Sequence, residues 1–92
     1  MRKKQELDDP TSCLNNSRLD EPLFVLCARD PAAAPTVREW ARRYVKAKGG
    51  KRKLTDRQRR KVQEAFDLAD LMDRWALDNG YIEPTGKPTG KN

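Results

Sequence analysis

Apolar residues recur along residues 35–50 at the spacing of a single buried helical stripe. Five of them are separated by three, four, seven and eight positions: Val37, Trp40, Ala41, Tyr44 and Val45. This period is typical of a helix that packs one face against a core. Pro35 suits a first helical turn because its φ is fixed, and Gly49-Gly50 can supply a left-handed C-terminal cap. The pattern therefore predicts a helix between these signals.

A second apolar pattern, from residue 62 to residue 76, predicts a longer helix with a wider apolar face. Thr55 and Gln58 have the spacing of a capping box, in which each side chain accepts a backbone N–H at the helix start. The apolar positions that follow are Val62, Ala65, Phe66, Leu68, Ala69, Leu71, Met72, Trp75 and Ala76. They cover more than one stripe, so a single neighbouring helix is too narrow to bury them.

The short connection between Gly49 and Leu54 predicts that the two helices fold back as an antiparallel hairpin. We therefore predict an all-α fold: a small helical hairpin with a short N-terminal apolar segment and flexible termini. The excess apolar width of the second helix requires residues 22–29 and a second subunit to cover it, so we also expect an oligomer.

The short apolar segment from Leu23 to Arg29 is ambiguous. Phe24 and Val25 favour a strand, whereas Asp20 could cap a short helix in which Leu23, Leu26 and Cys27 share a face. A lone strand would leave backbone groups unpaired unless a second subunit provided an edge. A helical turn is therefore the preferred interpretation.

Both ends of the chain lack an apolar period. Residues 1–19 are polar and predict a flexible arm. After about Tyr81, the tetrapeptide Pro-Thr-Gly-Lys occurs twice in succession, and such turn formers cannot build a core. We therefore predict three parts: an arm at 1–19, a helical domain at 20–80 and a disordered tail at 81–92.

The composition predicts a thin core and a reducing environment. Charged residues make up 37% of the 92 residues and apolar residues 36%, which is close to the border of disorder, so self-association is an economical source of stability. Two cysteines are too few for a disulfide framework, and no apolar signal or membrane-spanning run is present. We expect a protein of the cytoplasm with no membrane partner.

The positive charge is concentrated in one segment. The chain has a formal net charge of +6, yet residues 46–61 contain nine Lys or Arg and one acid, Asp56. The remaining residues contain more acids than bases. We call the nine cations the basic cluster: Lys46, Lys48, Lys51, Arg52, Lys53, Arg57, Arg59, Arg60 and Lys61. Such asymmetry indicates an anionic partner.

Several chemistries are disfavoured. The chain has no histidine, which removes the usual general base and the commonest metal ligand. Cys13 and Cys27 lack zinc-site spacing, so we interpret Cys13 as part of the arm and Cys27 as a small core residue. The carboxylates at Glu64, Asp67, Asp70 and Asp73 step around a helix, which favours a solvated face over a cation site. We expect no enzyme, no catalytic residue, no cofactor and no bound metal.

The apolar and aromatic positions resemble those of small bacteriophage and prophage proteins of unassigned function. The shared positions are Phe24, Val25, Leu26, Ala28, Asp30, Val37, Trp40, Ala41, Glu64, Ala65, Ala69, Met72 and Trp75. The resemblance covers a little over half of the chain. It implies a viral accessory protein that acts in a bacterial host cytoplasm, and it implies no particular activity.

Four aromatic residues lie on the apolar stripes, where packing in the core is the default interpretation: Trp40, Tyr44, Phe66 and Trp75. Aromatic side chains that stack on nucleobases must be exposed among cations. Tyr44, beside Arg43 and Lys46, is the residue with such neighbours in the sequence. It is therefore the candidate stacking residue.

The charges of the second helix run against its macrodipole, with cations at its start and aspartates in its later half. Three interpretations remain open: the cations bind phosphates, they meet the acidic half of the same helix in another subunit, or they form a solvated face. We expect the basic cluster to bind a nucleic acid or a nucleotide, which it would sequester. The alternative is an inhibitor or adaptor that contacts a host protein through the apolar helix face and the basic tip.

Overall fold

In a computed structural model, which describes residues 2–10 and 12–91, two helices form an antiparallel hairpin. Helices α1 (Lys3–Asp8) and α2 (Cys13–Asn16) precede the two main helices, α3 (Ala33–Ala47) and α4 (Asp56–Asp78). A 3₁₀ turn at Lys51–Lys53 lies between α3 and α4. The described residues contain no strand, only an isolated antiparallel bridge between Ile82 and Pro88. The predicted helical hairpin is confirmed.

The ends of α3 follow from local hydrogen bonds. Helix α3 begins two residues before Pro35, where the Asp30 carboxylate accepts from the Ala32 N–H at 2.9 Å and the Asp30 carbonyl accepts from the Ala33 N–H at 2.9 Å. At the other end, Gly50 N–H donates to the Val45 carbonyl at 3.0 Å, and both glycines have positive φ (92° and 107°). These bonds form the left-handed cap that the glycine pair predicted.

The start of α4 is the predicted capping box. The Thr55 hydroxyl accepts from the Gln58 N–H at 3.1 Å, and the Gln58 side-chain oxygen accepts from the Thr55 N–H at 2.9 Å. The box satisfies two N–H groups that have no partner inside the helix. It therefore fixes where α4 begins and how the loop enters it.

The core of the hairpin is built mainly from small side chains. Its buried apolar residues are Ala33, Ala34, Ala41, Leu54, Val62, Ala65, Ala69, Met72, Ala76 and Ile82. Among the described residues, no large side chain is fully buried. Alanines at the contact between α3 and α4 bring the two backbones close together, but they remove little apolar area from water. The core is therefore thin, as the composition predicted.

The two tryptophans depart from the prediction that they are core residues. Trp40 is 42% exposed and Trp75 is 43% exposed, and Leu71 beside them is 45% exposed. The reason is geometric, because α3 covers only the stripe of α4 that contains Ala65, Ala69 and Met72. The expected excess apolar width of α4 is therefore present, and it faces solvent.

Residues 22–27 form neither the helical turn that we favoured nor a strand. Leu26 and Ala28 pack against the core, while the Phe24 side chain is 85% exposed. Cys27 is exposed, so its interpretation as a core residue was wrong. The five residues between Pro22 and the turn at residues 28–29 are too few to form a stable helix, and the described part of the chain offers them no edge strand as partner.

Both ends contain local structure that the sequence pattern did not predict. In the arm, the Asn15 amide donates to the carbonyls of Glu6, Leu7 and Asp9, which holds α2 against the end of α1. In the tail, Ile82 is buried, and the Thr89 hydroxyl donates to the Gly80 carbonyl at 2.7 Å. The repeated turn formers thus fold back onto the end of α4. The side chain of Cys13 lies outside the described residues.

Arg38 of α3 forms two ion pairs with α4 on one side of the hairpin. Its guanidinium lies 2.7 Å from Asp70 and 2.7 Å from Asp73, and its side chain is 24% exposed. Hydrogen bonds to Asp70 and then Asp73 raise the pKa of Arg38. Two aspartates in the later half of α4 are therefore paired with a cation of the same chain. This pairing explains part of the acidity of that half, and the sequence did not suggest it.

Replacing Arg38 with glutamine is expected to lower the free energy of unfolding by about 1 kcal/mol, because two partly buried charged hydrogen bonds are lost. Urea unfolding at fixed protein concentration measures the change. The matched control is Arg42→Gln, since Arg42 is exposed and lies 3.8 Å from Glu39. An equal loss in both variants would show that the Arg38 bridges add nothing specific.

Candidate anion-binding surface

The basic cluster lies at one end of the hairpin, as the short loop predicted. Lys46 and Lys48 are at the end of α3, Lys51–Lys53 form the 3₁₀ turn, and the other four cations are in the first two turns of α4. All nine side chains are exposed. Folding thus brings together cations that are up to fifteen positions apart in the chain.

Local contacts hold the loop of the cluster against α4. Arg59 donates through Nε to the Lys51 carbonyl at 3.4 Å, and its Nη1 lies 3.5 Å from an Asp56 carboxylate oxygen. The Lys53 stem passes over Gly49, where an added Cβ would lie 3.3 Å from Lys53 Cγ. A glycine therefore serves two purposes at this position, the positive φ and the close approach of the lysine stem.

Eight of the nine cations have no carboxylate within ion-pair distance in the described part of the chain, and Arg59 is the exception. The arginines elsewhere on α3 and α4 differ, because each is paired. Arg38 binds Asp70 and Asp73, Arg42 and Arg43 lie beside Glu39, and Arg74 lies 3.2 Å from Asp78. The positive charge at the tip is therefore not neutralised by neighbouring side chains.

Tyr44 lies at the edge of this surface, with a second aromatic residue beside it. Lys48 Nζ and Lys61 Nζ are each 5.5 Å from the centre of its ring. The Trp40 ring is 5.2 Å from the Tyr44 ring, and Lys61 Nζ is 5.7 Å from the Trp40 ring. The cations at Tyr44 thus come from Lys48 and Lys61 rather than from the neighbours in sequence, Arg43 and Lys46.

Trp40 is a second candidate stacking residue, which the sequence pattern did not single out. Tyr44 is half-buried, whereas Trp40 is more exposed and also has a cation over its ring. Their separation of four positions, which puts both on one face, was a signal for the pair. The sequence does not show which edge of the stripe is left open by the second helix.

An open groove of 620 Å³ continues from Trp40 along the hairpin. Its lining includes Phe24, Leu26, Trp40, Lys61, Leu68 and Leu71. Most of these side chains are apolar, and Lys61 is the member of the basic cluster that lines the groove. The tip and the groove therefore meet at Lys61.

The structure also shows the surroundings of Cys27 and of two α4 carboxylates, Asp70 and Asp73. The Cys27 thiol is exposed, and Asp70 and Asp73 are both held by Arg38. Within residues 2–10 and 12–91, no three His, Cys, Asp or Glu side chains are grouped as metal ligands. No helix in the same part of the chain has the length and apolar character needed to cross a bilayer.

Comparison with family models, curated proteins and solved structures gave no match to this chain. The function is therefore inferred from the residues and the geometry described above.

Proposed function

We propose that this protein is a non-catalytic accessory protein of the phage type that binds nucleic acid through the basic cluster. The observation that supports this proposal most directly is that eight of the nine cations have no carboxylate partner within the described residues. Arginines and lysines left unpaired at one end of a molecule attract phosphates, and that attraction depends little on base sequence.

The members of the basic cluster differ in how strongly they support this proposal. Lys46 and Lys48 lie at the C-terminal end of α3, where positive charge stabilises the helix through its macrodipole. Arg57, Arg59 and Arg60 lie at the N-terminal end of α4, where positive charge is unfavourable for the same reason. Local helix stability therefore accounts for the first pair and not for the arginines, which we expect to make the main phosphate contacts.

An extended polyanion suits this surface better than a free nucleotide. Small ligands bind in clefts that enclose most of their surface, whereas the nine cations are exposed around the end of a hairpin. A nucleic acid backbone can cross such an end and meet several cations in succession. Sequestration of a nucleotide would require only a few of them.

Fluorescence anisotropy with labelled single-stranded and double-stranded oligonucleotides and with a nucleotide, each at two salt concentrations, tests the proposal. We expect binding to both oligonucleotides that weakens steeply with salt, because counterions are released from the phosphates. If the nucleotide binds and neither oligonucleotide does, the ligand is a nucleotide that the protein sequesters and not a nucleic acid. No binding to any probe would contradict the proposal.

The groove supports a second candidate function, that of an inhibitor or adaptor acting on a host protein. Its exposed apolar side chains and the cation of Lys61 match the apolar centre and charged rim of a protein interface. An interface anchored by apolar residues survives moderate salt, whereas phosphate binding does not. Salt dependence therefore distinguishes the two functions.

A further inference from the structure

Helix α4 carries an exposed stripe that repeats at alternating steps of four and three residues. The members of this stripe are Arg57, Lys61, Glu64, Leu68, Leu71, Trp75 and Asp78. All are exposed except Leu68, which is half-buried. Four of its members line the groove: Lys61, Glu64, Leu68 and Leu71. Leu68 also packs against the core, and Lys61 Nζ lies over the Trp40 and Tyr44 rings of α3. Steps of four and three are the pattern of helices that pack side by side over several turns.

From this stripe we infer that two copies of the chain associate through α4, with the two helices antiparallel and the two-fold axis near Leu68. In this register Leu68 faces Leu68 of the second copy, and Leu71 faces Glu64. Lys61 faces Trp75, a favourable cation–ring pair, and Arg57 faces Asp78. Each contact except that of Leu68 with its own copy, which lies on the axis, occurs twice because the arrangement is symmetric.

Charge complementarity favours a second copy over other occupants of the groove. Residues 56–66 contain four Lys or Arg and two acids, while residues 67–78 contain four Asp and one Arg. The first half of α4 therefore has a net charge of +2 and the second half of −3, which the bridge from Arg38 to Asp70 and Asp73 reduces to −2. An antiparallel pair places each positive half against a negative half, whereas a parallel pair would oppose like charges.

The groove provides the apolar part of the same contact. Leu71 lines the groove, and Trp75, whose ring stacks on Tyr81, lies one helical turn further along α4. Both are about half exposed, and Trp40 flanks Lys61 at the other end of the stripe. The α4 helix of a second copy would bring its own Leu68 and Leu71 across this opening. The thin core explains why such burial matters, since no large side chain among the described residues is fully buried within one chain.

The inference is tested by exchanging one charge pair and measuring the mass of the protein by sedimentation equilibrium across micromolar concentrations, without nucleic acid. Arg57→Glu and Asp78→Arg should each raise the dimer dissociation constant about tenfold, and the double variant should restore it to within about threefold. Both single changes favour the helix macrodipole, so a loss of dimer would not report unfolding of α4. Loss in the double variant as well would overturn the assigned register.

A second pair of variants tests the register at the centre of the stripe. Leu71→Glu and Leu71→Lys both remove the leucine, and they differ only in the sign of the charge placed opposite Glu64. We expect the lysine variant to dimerise more tightly than the glutamate variant. Equal weakening would contradict the antiparallel register, and a native chain that sediments as a strict monomer would overturn the dimer and leave the groove to a different protein. The anisotropy titration is a separate measurement, so failure of nucleic acid binding is distinguishable from failure of the dimer.

Discussion

The triple variant Arg57→Ala, Arg59→Ala, Arg60→Ala is expected to bind oligonucleotides roughly 100-fold more weakly than the native protein at moderate salt. These three side chains are exposed, and they lie within the first two turns of α4. If each arginine contacts one phosphate of a duplex, the slope of the logarithm of the binding constant against the logarithm of the salt concentration should also become shallower by about three. Anisotropy titrations at several salt concentrations measure both quantities.

The matched control removes three other arginines, Arg42, Arg43 and Arg74, and so changes the net charge by the same amount. Each of these lies beside a carboxylate, Glu39 or Asp78. We expect the control to bind within about threefold of the native protein and to keep its salt dependence. Equal losses in the two triple variants would mean that overall charge, rather than the tip, determines binding.

The substitution Ala69→Leu is expected to lower the free energy of unfolding by about 1–3 kcal/mol, because the added carbons have no space between α3 and α4. Ala69 is fully buried against Ala33, Ala34 and Met72. Alanine and leucine have similar helix propensities, so the change reports packing between α3 and α4. Urea unfolding at one protein concentration measures it.

The control for this substitution is Ala47→Leu, at the exposed last residue of α3. It introduces the same side chain where solvent can accommodate it, and a change within about 0.5 kcal/mol is expected. If Ala69→Leu were as stable as the control, the close approach of α3 and α4 would be wrong.

Nucleic acid binding and association through the stripe share two residues, Arg57 and Lys61, and otherwise use different parts of the hairpin. Within the described residues, the tip provides eight cations without a carboxylate partner, and the groove provides exposed apolar side chains. In an antiparallel dimer the two tips would lie at opposite ends of the α4 pair. Sedimentation without nucleic acid measures association through the stripe, and anisotropy measures binding by the tips.

The sequence by itself determined the features that depend on neighbouring residues. Thr55 and Gln58 predicted the start of α4, and Gly49-Gly50 predicted the end of α3, because caps are made by side chains and backbone within a few positions. The period of apolar residues predicted both helices, and the short loop between them predicted the hairpin. The position of the basic cluster at the tip followed from these elements alone.

Only the tertiary structure decided which part of each apolar stripe is covered. Trp40 and Trp75 have the spacing of core residues, yet small alanines make the contact between the helices and leave both rings partly exposed. The tertiary structure also decided that Cys27 is exposed. It likewise decided that Arg38 pairs with Asp70 and Asp73, which are 32 and 35 positions away in the chain. Period gives the direction of a side chain from its own helix, but burial and ion pairing depend on how closely a second element approaches.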